Sequence, residues 1–494
     1  MNSNTTLYEA IIVGSGFSGI AMAISLKKQG VSSFIILEKA NDFGGTWRDN
    51  TYPGAECDVP SALYSYSFEP YTDWDKKWSG QAQILEYLKL NIKKNGLEDF
   101  IHYNKEFQSS NFNEDFGCWE LKTKDGSEYR TRALITAIGQ LHHPKTPSFK
   151  GKESFKGTTW HSVRWNHNYN LEGKRVGVIG NAASAIQFIP EIVDSVKELT
   201  VFQRTAKWML PKKNNPYSDK DRLKFKKYPF LLKWERNLNN TFNGMFYHVM
   251  GQNKTWKKMW QNFSMGHLKK SIKDPELLAK LTPNYPIGAN RVLLSDNYYP
   301  ALSKSHVDVN VDGISHFVEN GIVTNSGGVV ELDALIYATG FESHPFLKDL
   351  KITGVNGKTI DKAWEKSTDT YLGIATSGFP NLFMMYGPNT NLGHSSVILM
   401  IESQSNYITK CVKLLSNDNI LSMDVKEDFQ NDFTKDVNDR LKKTAWALVK
   451  NSWYKQGETI VNNWPGKAKE YNKLTKEVDQ KAYNIIHTNE IAKN

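Results

Sequence analysis

The sequence predicts an α/β fold made of two Rossmann-like dinucleotide-binding domains with a helical insertion. Three observations predict it. A strand, a glycine-rich turn, a helix, a second strand and an acid follow one another over 10–38; a similar unit recurs over 175–205; and over 211–281 the alternation gives way to a basic, aromatic, helix-spaced stretch. At 494 residues the chain is too long for one core. The expected division is 1–145 and 341–494 for the first binding domain, 146–213 and 285–340 for the second, and 214–284 for the insertion, with a lid in the last segment.

Ala10 to Val13 reads as a buried parallel strand, followed at once by Gly14-Ser15-Gly16-Phe17-Ser18-Gly19 and a helix continuing from Ile20 to Lys28. Phe34 to Leu37 is the next strand and Glu38 ends it. Here Gly14 makes the turn, Gly16 admits a pyrophosphate to the backbone, Gly19 lets helix and strand pack, and Glu38 accepts from ribose hydroxyls. The loop Gly44 to Asp58 (GGTWRDNTYPGAECD) combines turn-forming glycines, the flat Trp47 ring and the Asp58 carboxylate. That suits a loop over a flat heterocycle; an ordinary surface loop is the alternative. Ala133 to Gly139 is a further strand, and Pro144 and Pro147 mark an exit from the domain.

In the second unit Arg175 to Ile179 is a strand, and Gly180-Asn181-Ala182-Ala183-Ser184-Ala185 opens a helix that carries Gln187 and runs through Val193. Leu199 to Phe202 ends in Gln203-Arg204-Thr205. An arginine where the first unit has a carboxylate suits a ribose 2′-phosphate, which favours NADP over NAD; Ala182 crowds the pyrophosphate. The 211–281 stretch fits either a membrane-surface role or a solvated face over the wall of an apolar groove, and the second is preferred. Tyr285 to Leu294 reads as a return to sheet, and Leu332 to Tyr337 as a strand capped by Ala338-Thr339-Gly340. A turn from Tyr386 to His394, including Asn391, precedes a helix from Ser395 to about Leu415 and offers backbone amides to the first cofactor.

A net charge of +10 invites anionic partners, but no zinc-finger spacing, RNA-recognition signature or basic tail appears, so no nucleic acid is expected. Cys57, Cys118 and Cys411 form no CxxC, which argues against disulfides, zinc and a dithiol centre and fits a cytoplasmic protein. No metal site, signal peptide or transmembrane run is expected.

Two long patterns then point to a family. Phe155, Gly157, His161 and Trp165 match FxGxxxHxxxW, with Asn166 where Pro or Asp is usual, and Gly44 to Asp58 matches GGxWxxxxYPGxxxD at every fixed position. Over essentially its whole length the chain resembles the Baeyer–Villiger monooxygenases among the flavoprotein monooxygenases, and its GPNTNLGH region looks most like the 4-hydroxyacetophenone monooxygenase branch. The resemblance implies FAD on the first unit and NADPH on the second. The cofactor contacts so implied are the Gly14–Gly19 turn, Glu38, Gly45, Thr46, Trp47, Asp58, Tyr64, Asn391, Gly180, Asn181, Ala182, Ser184, Gln187, Arg204, Thr205, Arg291 and, as a lid over NADP, Trp453. Phe155, Gly157, His161 and Trp165 fall in a linker, where His161 is assigned hinge or positioning work.

Arg291 matches the family's active-site arginine and Asp58 the acid that sets its state, with a structural salt bridge as the alternative; Asn290 replaces a usual lysine, which relaxes the preference for NADPH. The implied reaction inserts one oxygen atom of O2 beside a ketone carbonyl through a C4a-peroxyflavin, giving an ester or lactone. Expected partners are O2 and a small apolar ketone, with aryl ketones and sulfides among the candidates, for a monomer or homo-oligomer. The rival readings are an N- or S-oxygenating flavin-containing monooxygenase, an uncoupled NADPH oxidase, and a nucleotide-binding regulatory module without turnover.

Overall fold

The computed structural model describes residues 6–251, 253–342, 346–347, 350–417, 419–449 and 452–488. Strand β1 (Leu7–Val13), helix α1 (Phe17–Lys28) and strand β2 (Phe34–Leu37) form the first unit, with β1 and β2 parallel and Ala10 opposite Phe34. Ala10 to Val13 and all of β2 are buried, as unbroken apolar runs must be when both faces of a sheet are covered: helix α1 packs on one face, and Phe107, Trp119 and Trp364 on the other. A short helix α2 (Thr46–Asp49) and α3 (Gln81–Lys94) precede β3 (Ile101–His102). An antiparallel meander of β4 (Phe107–Asn113), β5 (Cys118–Thr123) and β6 (Glu128–Thr136) then delivers β6 parallel to β1. β6 stops at Thr136, short of the expected Gly139.

The second unit contains β7 (Thr158–His161), β8 (Arg175–Ile179), α4 (Ala183–Ile192) and β9 (Glu198–Phe202). After β10 (Met209–Leu210) come four helices: α5 (Asp219–Lys227), α6 (Phe230–Met250), α7 (Lys254–Ser271) and α8 (Pro275–Lys280). Three of their starts, those of α5, α7 and α8, are written in side chains. Ser218 and Asp221 make a capping box, Asn253 accepts from Trp256 N, and Asp274 caps a helix opened by Pro275.

The expected sheet over 285–294 shrinks to β11 (Leu293–Leu294), which pairs parallel with β10. Pro286 offers no ladder donor and Gly288 has φ +86°, so the rest of that segment turns. There follow β12 (Val307–Asn310), a small antiparallel sheet of β13 (Ile314–Val318), β14 (Gly321–Thr324) and β15 (Val329–Glu331), and β16 (Ala334–Tyr337). Finally β17 (Lys351–Thr353) and β18 (Leu382–Met384) rejoin the first sheet.

The first sheet therefore runs β17-β4-β5-β6-β1-β2-β3 with β18 also on β6, and the second, wholly parallel, runs β12-β9-β8-β16-β7. His161, expected in a linker, ends edge strand β7, opposite Tyr337 of β16. Thr158, Thr159 and Trp160, β-branched and aromatic, suit that edge.

The first unit depends on Gly19, where an added Cβ would lie 1.9 Å from the Gly14 carbonyl oxygen. Gly19→Ala should push α1 off β1 and cost about 1–3 kcal/mol, read as a lower thermal unfolding midpoint. An unchanged midpoint would show that the helix shifts freely.

Candidate active site

The fingerprint turn is tied to the end of β2. Ser15 N and Oγ donate to Glu38 Oε2 at 3.0 and 2.7 Å, while Ala40 N (3.0 Å) and Arg48 Nη1 (2.9 Å) donate to Oε1. The carboxylate expected to meet ribose is thus surrounded by protein donors, one of them a hydroxyl that can rotate. The 44–58 loop lies directly on this turn: Gly44 N donates to Ser15 O at 3.0 Å, and a Cβ on Gly45 (φ +53°) would stand 3.3 Å from Gly16 Cα. Thr46 opens α2, and Trp47 Nε1 donates to the Tyr64 hydroxyl at 3.1 Å. Phe17 and Ser18 face inward, the Phe17 ring 5.0 Å from that of Tyr64.

In the second unit Gly180 N donates to Phe202 O at 3.0 Å. Asn181 Nδ2 donates to Gln203 Oε1 (2.7 Å) and Thr205 O (2.9 Å), binding the ends of β8 and β9 together. Ala182 caps α4 and Ser184 lies in its first turn. Arg204 is exposed at the end of β9. Beside it stands Lys207, missed in the sequence; burial first, then the Arg204 charge, hold its amine below the usual lysine range. Gln187 reaches to the 44–58 loop: its amide oxygen accepts from the Tyr52 hydroxyl at 2.8 Å and its amide nitrogen donates to Glu56 O at 2.9 Å.

The loop's far end meets Arg291. Nε donates to Asp58 Oδ2 at 2.7 Å and Nη2 to Oδ1 at 2.6 Å, a two-pronged pair between residues 233 apart in sequence. Burial pushes the Asp58 carboxyl up, but the Arg291 charge, its hydrogen bonds and Lys212 outweigh it and hold the group below the ordinary carboxylate range. Asp58 in turn raises Arg291 against the opposing effect of burial. The hydroxyls of Tyr64, Tyr386 and Tyr454 are each raised, chiefly by burial; the Arg291 charge works against this at Tyr386 and Tyr454. Burial and Asp58 push the Cys57 thiol up to about 12, so at neutral pH Asp58 is the anion of this cluster.

Sequence reading found Asp58, Arg291 and Tyr64 but missed Tyr386, Tyr454 and Lys212. Tyr454 adjoins the singled-out Trp453, ring centroids 4.8 Å apart, and Tyr386 begins the Gly387-Pro388 turn. Tyr386 donates to Asn391 Oδ1 at 2.9 Å, and Asn391 Nδ2 donates to Asn463 Oδ1 at 2.9 Å. Lys212 Nζ is buried between Glu56 Oε1 (2.5 Å) and Cys57 O (3.0 Å). Phe155 packs on Gly157 and Trp165 on Phe188, at 5.2 Å. Burial holds His161 down to about 4, so it is neutral at neutral pH, with Nδ1 accepting from Val163 N.

Asp58→Asn leaves Arg291 without its counter-charge in a partly open cleft, and should cost about 1–3 kcal/mol at neutral pH. Because Asp58 titrates below its unfolded value, that contribution exists above about pH 4 and disappears as pH falls through the folded value. Unfolding midpoints of the wild type and the variant should therefore converge only in acid; a constant gap across the pH range would refute the coupling.

Residues 11–220 match the family model described as pyridine nucleotide-disulphide oxidoreductase. The three cysteines are free and buried, so the disulphide part of that description has no counterpart here. A Baeyer–Villiger monooxygenase of Pseudomonas aeruginosa is 38% identical over 97% of this chain and 91% of its own length. Among solved structures, an oxidized steroid monooxygenase bound to NADP superposes with a TM-score of 0.88 at 28% identity, covering 98% of this chain and 100% of that one. OTEMO in complex with FAD and NADP does so with 0.88 at 26%, with the same coverage. The chain belongs to the Baeyer–Villiger monooxygenases.

Proposed function

We propose that Asp58 and Arg291 form the catalytic centre at which this FAD-dependent, NADPH-consuming monooxygenase inserts one oxygen atom of O2 beside the carbonyl of a small apolar ketone, giving an ester or lactone. The observation that carries the reading is the two-pronged pair itself, set among neutral tyrosines. The residues present fit both cofactors. Glycines at 16 and 45 let the fingerprint turn and the 44–58 loop pack backbone to backbone, a Cβ on Gly45 standing 3.3 Å from Gly16 Cα, so that both turns can offer main chain to a pyrophosphate, and Arg204 with Lys207 puts two cations where a 2′-phosphate would lie. Bound FAD supplies electron transfer and oxygen activation, with NADPH as the electron source. Arg291 offers a permanent positive charge to oxygen atoms that gain negative charge during the reaction, and Asp58 aims the guanidinium and balances it. The buried aromatic cluster of Tyr64, Tyr386 and Tyr454 beside Asp58 and Arg291 suits aryl ketones, and sulfides of similar shape. Trp453, beside Tyr454, excludes water as a lid. The free, buried thiols support a cytoplasmic setting, and the two sheets support a division of the chain near 145, 213, 284 and 340.

The test is a panel of aryl and alicyclic ketones with NADPH in air, product ester read by gas chromatography. Arg291→Ala should lower ester formation by about a hundredfold or more while still binding flavin. Hydrogen peroxide without ester, for every ketone, would instead identify an uncoupled oxidase. Arg204→Ala should raise KM for NADPH about ten- to a hundredfold and leave KM for NADH unchanged; equal effects on both would remove Arg204 from the 2′-phosphate site.

A further inference from the structure

We propose that the outward face of the helical insertion docks the enzyme on an anionic lipid bilayer. The first observation is charge. Residues 219–273, from the start of α5 to two residues past the end of α7, hold thirteen Lys or Arg against three Asp or Glu, and this excess of ten equals the formal net charge of the whole chain. The rest of the molecule is balanced. Ten of the thirteen cations are exposed, and Arg236 alone is buried.

The second observation is an apolar stripe. Phe230, Trp234, Leu238 and Phe242 recur at four-residue spacing along α6 and all are exposed, Phe230 at 65% and Trp234 at 61%; Met259 and Phe263 continue the stripe on α7. Among the described residues, eight of the seventeen exposed large apolar side chains lie between 223 and 263. This is not the face by which α6 joins the protein. On its other side Arg236 donates to Ala62 O, Leu63 O and Ser65 O, and Asn240 meets Ser395. A solvated face over a groove wall would account for the lysines but not for the outward rings.

A basic face bearing exposed Trp, Phe and Leu is the pattern of an interfacial helix: rings enter the boundary between headgroups and acyl chains while lysines meet anionic headgroups. A second copy of this chain would bring the same excess of positive charge against itself, and a nucleic acid would neutralise the lysines but offer no hydrocarbon to the stripe. Among the described residues no helix is long and apolar enough to cross a bilayer, so the attachment is to its surface. The inner face of α6 rests on the Ala62–Ser65 segment that carries Tyr64, which puts the bilayer one helix away from the tyrosine cluster, where an apolar ketone dissolved in lipid is concentrated.

The experiment is flotation of the FAD-loaded enzyme with phosphatidylcholine vesicles and with mixed phosphatidylglycerol–phosphatidylcholine vesicles, at low and high salt. Binding should require phosphatidylglycerol and weaken with salt. Lys224→Gln, Lys227→Gln and Lys233→Gln should each weaken it about fivefold. Phe230→Ser with Trp234→Ser should abolish it while flavin content and ketone-dependent NADPH consumption in solution persist. Three results would overturn the proposal: no flotation on either vesicle, binding to RNA in place of vesicles, or a wild-type dimer that the Phe230→Ser and Trp234→Ser changes convert to a monomer.

Discussion

The structure turns on how one loop is held from across the gap between its two sheets. The 44–58 loop ends in two acids that flank Cys57, and each meets its own cation: Glu56 meets Lys212, and Asp58 meets Arg291. Both cations come from the little sheet that frames the helical insertion. Lys212 follows β10, Arg291 precedes β11, and these strands pair with Met209 opposite Leu293. The result is an alternation of charge, acid to cation twice over, pinned to a backbone ladder. Removing any member leaves its partner's charge unpaired in a partly buried cleft.

The other end of the loop is fixed by different chemistry. Gly44 hydrogen-bonds to the fingerprint turn, Arg48 joins Glu38, and Tyr52 reaches Gln187 on α4. A Cβ on Gly54 would strike the Gln187 carbonyl at 2.7 Å, so α4 and the loop touch backbone to backbone. The loop therefore registers the two nucleotide units against each other, and the position of Arg291 relative to the first unit follows from contacts made at both of its ends. A loop dense in glycine is used here for closeness as well as for flexibility.

What the sequence made legible was whatever is local. β1, α1, β2, β8, α4 and β9 were readable because buried parallel strands are unbroken apolar runs and their turns need glycine at fixed positions. Arg291, and its pairing with Asp58, were readable only through resemblance, since nothing in spacing brings residues 233 apart together. Lys212 escaped because a lysine in a basic run looks like surface; only burial against Glu56 distinguishes it from Lys213, which is exposed. Tyr386 and Tyr454 escaped because the chain is rich in aromatic residues throughout. His161 looked like part of a linker because a four-residue edge strand leaves too short a pattern to recognise.

Charge is distributed in this molecule by a consistent rule. Near Arg291 the tyrosine and cysteine groups are kept neutral by burial, so one carboxylate answers one guanidinium and the local sum stays near zero. On the helices between β10 and β11 a positive excess collects instead: Lys226 meets Asp73 and Arg236 meets Glu402, but most of the lysines there are exposed. A field from that face reaches only about 10 Å at ordinary ionic strength. Screening thus helps to separate the two: the insertion can carry an attractive surface for anionic partners with little effect on the balance at Asp58 and Arg291. The β10–β11 pair is what makes the separation possible, since it closes the helical excursion on itself and returns the chain to place Arg291 beside Asp58.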